Sequence, residues 1–177
     1  VTPGSFDANL TSSSWTNSNS AWTSFAGSAG QAISLNNSSG TPAITLTFAV
    51  SPGFQCSVTS FNFWRQRSNT GAQNWSMTIN GIAVGSGIVL NPGSAIGVTN
   101  VANAVSNQTG TMTIVISLSG ATGTGTFRLD DFTLNGTVSS IGGVNNPTSF
   151  SATTTSASQI NLLSGANGNG NNIVVVA

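Results

Sequence analysis

Histidine, lysine, glutamate and tyrosine are all absent from this 177-residue chain. Without an imidazole, an amine or a phenol, no Ser-His-Asp, Cys-His or Ser-Lys arrangement can be assembled. The remaining acids are Asp7, Asp130 and Asp131, matched by Arg65, Arg67 and Arg128, so the net charge is zero. Asp130 and Asp131 are neighbours that a regular strand would send to opposite faces, against a paired-carboxylate mechanism. There is no glycine-rich phosphate loop with lysine and no Cys/His metal cluster. The chain reads as a non-enzyme.

Three cations are too few to neutralise a phosphate backbone, which excludes nucleic acid, and too few to dock on anionic lipid. The longest apolar run, Ile173-Val174-Val175-Val176-Ala177, falls far short of the roughly 18 residues of a membrane span, so no membrane insertion is expected. The start, Val1-Thr2-Pro3-Gly4, has neither the basic residues nor the apolar stretch of a signal peptide, and the chain reads as a mature or trimmed form. A single cysteine, Cys56, excludes an internal disulfide. It opens an apolar strand pattern and reads as a small buried hydrophobe. The sharper alternative, a covalent trap at Gln55-Cys56, has no second feature to support it.

What is present is Ser, Thr, Asn and Gly, at 28, 23, 21 and 21 residues. Together they exceed half the chain and take the place of a charged surface. Yet 38% of residues are apolar, with nine Phe and four Trp, unlike the apolar-poor composition of disordered chains. A neutral surface resists self-association poorly. That suits a protein that assembles, is glycosylated or sits in a longer chain. Six Asn-x-Ser/Thr sequons occur, as chance alone supplies in so Asn-, Ser- and Thr-rich a chain. Thr-x-Thr stretches at 109–113 and 122–126 resemble ice-binding surfaces in composition, but no fixed repeat organises them.

The apolar residues alternate. Ile44, Leu46, Phe48 and Val50 form one period-two run, Trp75, Met77 and Ile79 another, and Met112, Ile114, Ile116 and Leu118 a third; Ile33 and Leu35 make a shorter one. These are strands with one face buried, and no capped helical period competes. Asn80-Gly81 between Ile79 and Ile82 is a two-residue hairpin turn. The spacing predicts about eight to ten short strands before residue 139, an all-β, antiparallel two-sheet β-sandwich of jelly-roll type. Residues 11–30 read as a long loop pinned by Trp15, Trp22 and Phe25. Phe127 and Leu129 share a face, whereas Phe132 and Leu134 have the opposite parity, so a β-bulge is expected at Asp130-Asp131.

Two stretches carry a resemblance. Thr59-Ser60-Phe61-Asn62-Phe63-Trp64-Arg65-Gln66-Arg67-Ser68-Asn69-Thr70-Gly71 leads into Asn74-Trp75-Ser76. Gly125-Thr126-Phe127-Arg128-Leu129-Asp130-Asp131-Phe132 runs on to Gly136. Over about residues 4–138 the chain resembles the jelly-roll modules of secreted and cell-surface proteins of Bacteroidota-type bacteria. These are similar to galactose-binding-like and carbohydrate-binding jelly rolls. The resemblance implies a non-catalytic, extracellular or surface module of a bacterial multi-module protein. It also implies a structural calcium ion between an acid near the N-terminus and an Asp on the last strand, places held here by Asp7, Asp130 and Asp131. A salt bridge to Arg128 or Arg65, or a solvated turn, would explain the same residues. Beyond a linker at 139–146, residues 147–177 resemble the start of a fibronectin type III module (Pro147 to Ala152, Ser158 to Leu162, Asn171 to Val176). Ser164 stands where that family usually has Trp.

Two functions from different classes follow. The first is a structural or adhesive module, a subunit of a surface fibre or coat, whose partners are copies of itself or further modules. The 31 residues from 147 are too few for a fibronectin-like sandwich of about seven strands. Ile173, Val174, Val175 and Val176 would then need cover from residues 4–138, from chain beyond Ala177 or from a neighbour's sheet. The alternative is a carbohydrate-binding accessory module for polysaccharide, with Trp15, Trp22 and Trp64 as plates and Arg65 and Arg67 as polar partners, helped by Asn17 and Asn19. Burial of those Trp side chains in the core would argue against it.

Overall fold

The computed structural model describes residues 4–19, 22–142, 150–156 and 159–164. The chain divides into two units, Val1–Ser139 and Ser140–Ala177. Eleven strands run through the first: β1 (Leu10–Asn17), β2 (Trp22–Ala26), β3 (Gln31–Leu35), β4 (Ala43–Val50), β5 (Phe54–Arg67), β6 (Asn74–Ile79), β7 (Ile82–Ile88), β8 (Ser94–Ala95), β9 (Thr99–Gln108), β10 (Thr111–Ser119) and β11 (Phe127–Ser140). There is no helix among the described residues, so none is long and apolar enough to cross a membrane. One sheet has the order β1-β4-β10-β6-β7; the other runs β2-β3-β11-β5-β8, with β9 also paired to β5. The expected all-β sandwich of jelly-roll type is the observed fold.

The alternating runs face inward as their period requires. Ile44, Ile114, Ile116 and Ile79 from the first sheet, and Leu35, Phe61, Phe63, Phe127 and Leu129 from the second, are fully buried. Phe63 meets Trp75 of the other sheet edge-on at 5.0 Å and stacks on Phe132 of its own sheet at 6.1 Å. The outward positions hold short neutral side chains. Thr16, Thr45, Val115 and Thr78 lie side by side across four strands of the first sheet. Thus the Ser/Thr excess is the outer face of a sandwich whose inner face is aliphatic and aromatic.

The turns follow their residues. Asn80 (φ 48°) and Gly81 (φ 79°) both take the left-handed conformation that a type I′ hairpin needs. The parity break in β11 coincides with Asp131 at φ 51°. Phe127 and Leu129 are buried before it, and Phe132 and Leu134 pack against the core after it. Glycines Gly71 and Gly125 mark a crossing of two loops, where a Cβ on Gly125 would lie 2.2 Å from the Gly71 nitrogen. Buried Ser38 ties that crossing, donating to the Gly125 carbonyl (2.6 Å) and accepting from the Ala72 N–H (2.8 Å).

The expected loop at 11–30 is a correction. Most of it is β1 and β2, the edge strands of the two sheets. Its alternation is hidden by an irregularity between Thr11 and Ser14, with Ser12 at φ 58°. Leu10 turns inward, and after the bulge Ser13, Trp15 and Asn17 do. A bulge plus serine at core-side positions erases the apolar period on which sequence reading depends.

In the second unit, β12 (Phe150–Ser156) and β13 (Gln159–Ser164) form a two-stranded antiparallel sheet, with Phe150 opposite Ser164 and Thr154 opposite Ile160. The assembly candidates Ile173, Val174, Val175 and Val176 lie outside the described residues.

Candidate functional site

Strand β1 ends one sheet and β2 ends the other, and both line a cleft of about 700 Å³. Trp15 and Trp22 are the tryptophans in it, beside Phe6, Phe48 and Phe132. Trp22 pairs with Leu35 at the sheet edge and keeps 44% of its surface exposed. Trp15, opposite Leu46 on β4, is half-buried and stands edge-on to Phe132 at 5.4 Å. Phe132 in turn stacks on Phe63, so Trp15 is held by a chain of rings running back into the core. The two indoles therefore differ: one is braced and partly covered, the other stands open at the edge.

Asp7, Asp130 and Asp131 all line this cleft, and none of the three arginines does. Their surroundings set what each can do. Asp130 Oδ2 accepts the N–H groups of Ser28 (2.8 Å) and Ala29 (3.4 Å), and its Oδ1 accepts the N–H of Asp131 (2.9 Å). It caps the β2–β3 turn, so neither a salt bridge nor a solvated turn describes it. Asp7 Oδ1 accepts the backbone and side-chain N–H groups of Asn9 at 2.8 and 3.2 Å. The Asp131 carboxylate receives no hydrogen bond among the described residues and is exposed.

That donor set does not suit calcium, which takes six to eight oxygen ligands. A cation at Asp130 would face the positive ends of amide dipoles already aimed at both oxygens. Among the described residues, no group of three or more His, Cys, Asp or Glu side chains is gathered to hold a metal ion.

Trp64, Arg65 and Arg67 are not lining residues of the cleft, so the five residues expected to act together on a sugar are separated. The guanidinium of Arg65, only 7% exposed, donates to the carbonyls of Ile88 (3.1 Å) and Ser94 (2.7 Å) and to Ser94 Oγ (3.0 Å). Burial holds its pKa below the ordinary arginine value. Arg67 donates to the carbonyls of Val89, Ser68 and Asn69. Both arginines satisfy main-chain acceptors that a neutral chain has few other cations to serve. Trp64 lies on the outer face, opposite Ala95 and against Gly93, so the loop before β8 covers it. Arg128 sits 4.6 Å above the Phe25 ring and donates to the Ala26 carbonyl. Asn17 and Asn19 lie next to the β1–β2 turn without lining the cleft.

Cys56 is 6% exposed and lines the floor, as a small buried hydrophobe would. Burial, and then the nearby charge of Asp7, push its thiol pKa up. Gln31 and Asn135 also line the cleft. Sequence reasoning missed them because nothing distinguishes an amide at the cleft among 21 asparagines and six glutamines.

No family model and no curated protein matches the sequence. The chain is similar to several solved structures. A carbohydrate-binding module of family CBM36 in complex with calcium and xylotriose is 16% identical, covering 68% of this chain and 99% of that one, with a TM-score of 0.40. A CBM61 module in complex with β-1,4-galactotriose is 15% identical, covering 71% and 88%, with a TM-score of 0.44. The CBM36-1 domain of a multidomain xylanase from the hindgut metagenome of Trinervitermes trinervoides is 15% identical, covering 71% and 98%, with a TM-score of 0.43.

Proposed function

We propose that the first unit is a non-catalytic carbohydrate-binding module acting outside the cell on polysaccharide, with the cleft between β1 and β2 as its binding site. The carrying observation is Trp22, 44% exposed at the lip of a cleft of about 700 Å³ that Trp15 also lines. A volume of that size is typical of small-molecule sites, which span about 300–1,000 Å³. A sugar ring has an apolar C–H face and a rim of hydroxyls. The first lies on an aromatic plate that is otherwise costly to leave in water. The second bonds to carboxylates and amides, and bonds to a charged acceptor are the stronger ones. Trp22, Trp15, Asp131 and Gln31 supply both kinds of group on the same walls.

The absence of His, Lys, Glu and Tyr from the sequence supports a binding role over a catalytic one. The structural or adhesive reading rests on the near-zero charge and on the segment ending in Ile173–Val176, which lies outside the described residues. The test is chromatography of the native protein over agarose gels coupled to galactan, xylan or hydroxyethylcellulose. Retardation by at least one of them is expected, and Trp22→Ala should abolish it while leaving the fold intact. Equal retardation of wild type and Trp22→Ala would place any binding elsewhere.

A further inference from the structure

We propose that this cleft selects its glycan by charge, accepting neutral and amino-sugar polymers and refusing uronate-bearing ones, with Asp131 as the specificity-determining carboxylate. This rests on the carbohydrate-binding reading and adds to it the class of polymer. The chain carries six charged side chains in 177 residues. Their distribution is not even: every carboxylate of the chain lines the cleft, and every guanidinium is elsewhere, bonded to main-chain carbonyls. Among the described residues, no cationic side chain lines the cleft to receive a sugar carboxylate. An anionic glycan entering would lose hydration and meet three like charges. A glucosamine unit would bring an ammonium to acceptors that have no other cation.

The three acids are not equivalent. Asp130 is held by the N–H groups of Ser28, Ala29 and Asp131, and Asp7 Oδ1 by Asn9. Asp131, exposed and free of such bonds among the described residues, is the one whose oxygens remain for a ligand. It stands at the bulge of β11, beside Phe132, the ring that braces Trp15. A hydroxyl or ammonium of a sugar lying on the indoles is thus within the same cleft as this carboxylate.

The test uses chromatography of the full chain, in mildly acidic buffer, over agarose gels coupled to five polymers: galactan and polygalacturonate, hydroxyethylcellulose and carboxymethylcellulose, and chitosan. Each neutral polymer is thereby set against an anionic counterpart. Retardation by a neutral polymer or chitosan, with none by either anionic one, is the expected pattern. Adding 1 M salt, where the Debye length is about 3 Å, should narrow any advantage of chitosan. Asp131→Asn keeps the side-chain shape and a residue type that tolerates positive φ. It should weaken chitosan retardation about tenfold and let the anionic polymers begin to retard the protein, at an unchanged thermal midpoint. Retardation by carboxymethylcellulose or polygalacturonate equal to that by the neutral counterpart would overturn charge selection and leave the carbohydrate-binding reading standing. Retardation by none of the five and none by xylan would overturn both. Asp131→Asn matching wild type on every gel would overturn the role of Asp131.

Discussion

Arg65→Ala should lower stability sharply and leave glycan binding as it was. In the sequence, Arg65 beside Trp64 looks like a sugar-binding pair; in the fold its guanidinium is 7% exposed and serves the Ile88 and Ser94 carbonyls and Ser94 Oγ. Hydrogen bonds to a charged group contribute about 1.5–3 kcal/mol each, and an acceptor left unpaired costs about 1–3 kcal/mol. Water can reach part of the vacated space, so about 3 kcal/mol is a fair sum for the set. A domain of this size loses about 3–4 °C per kcal/mol, giving a midpoint lowered by about 10 °C. Circular dichroism melting at 218 nm, a wavelength on the order of the β-sheet minimum, follows the transition, provided it is cooperative. Lys at this position retains the charge but not the planar fork, so Arg65→Lys should recover only part of the loss. Binding is read below the midpoint on the retarding gel. A variant that melts within about 2 °C of wild type but no longer binds would refute the assignment, since a lost hydrogen-bond set must register as stability.

Three further outcomes follow from the same geometry. Gly125→Ala would place a Cβ 2.2 Å from the Gly71 nitrogen; overpacking of this kind costs about 1–3 kcal/mol, whereas Gly4→Ala, with nothing within 4 Å, should melt like wild type. The Cys56 thiol, pushed up by burial and by Asp7, should be alkylated at least about 100-fold faster in denaturant than in the native state, because the reactive form is an accessible thiolate; equal rates would mean the floor of the cleft opens freely. Calcium or a chelator should move the thermal midpoint by less than about 1 °C, since an ion bound to the folded state would raise it; a rise of several degrees would show that Asp7 or Asp131 finds oxygen partners despite the hydrogen bonds described.

Where side chains alternate without interruption, the fold was legible. The runs ending at Val50, Ile79 and Leu118 each became a strand with the expected face inward, and Asn80-Gly81 became the expected turn. Even the bulge at Asp130-Asp131 could be read, because bulky residues flank it on both sides and fix the parity. The edge strand β1 could not, because its bulge falls among Thr11, Ser12, Ser13 and Ser14, where no side chain is large enough to report a face. The site was half legible for the same reason. Trp15 and Trp22 were identifiable as aromatic plates by type alone. Whether Arg65 points at ligand or at a carbonyl 29 residues away depends on a loop path that local pattern does not encode. The pairing of Asp130 with the turn at Ser28, 102 residues distant, is a non-local contact of the same kind.

The proposed place of the ligand is between β1 and β2, against Trp22 and Trp15. The chain has four tryptophans, and each contributes one indole N–H resonance to a proton–nitrogen correlation spectrum. Assigned by single Trp→Phe variants, these four signals can be followed while the oligosaccharide of a retarding polymer is added. The Trp22 signal should move most and the Trp15 signal with it, while Trp75 in the core and Trp64 under its loop stay in place. Movement of the Trp64 signal with Trp22 and Trp15 unmoved would contradict the claim.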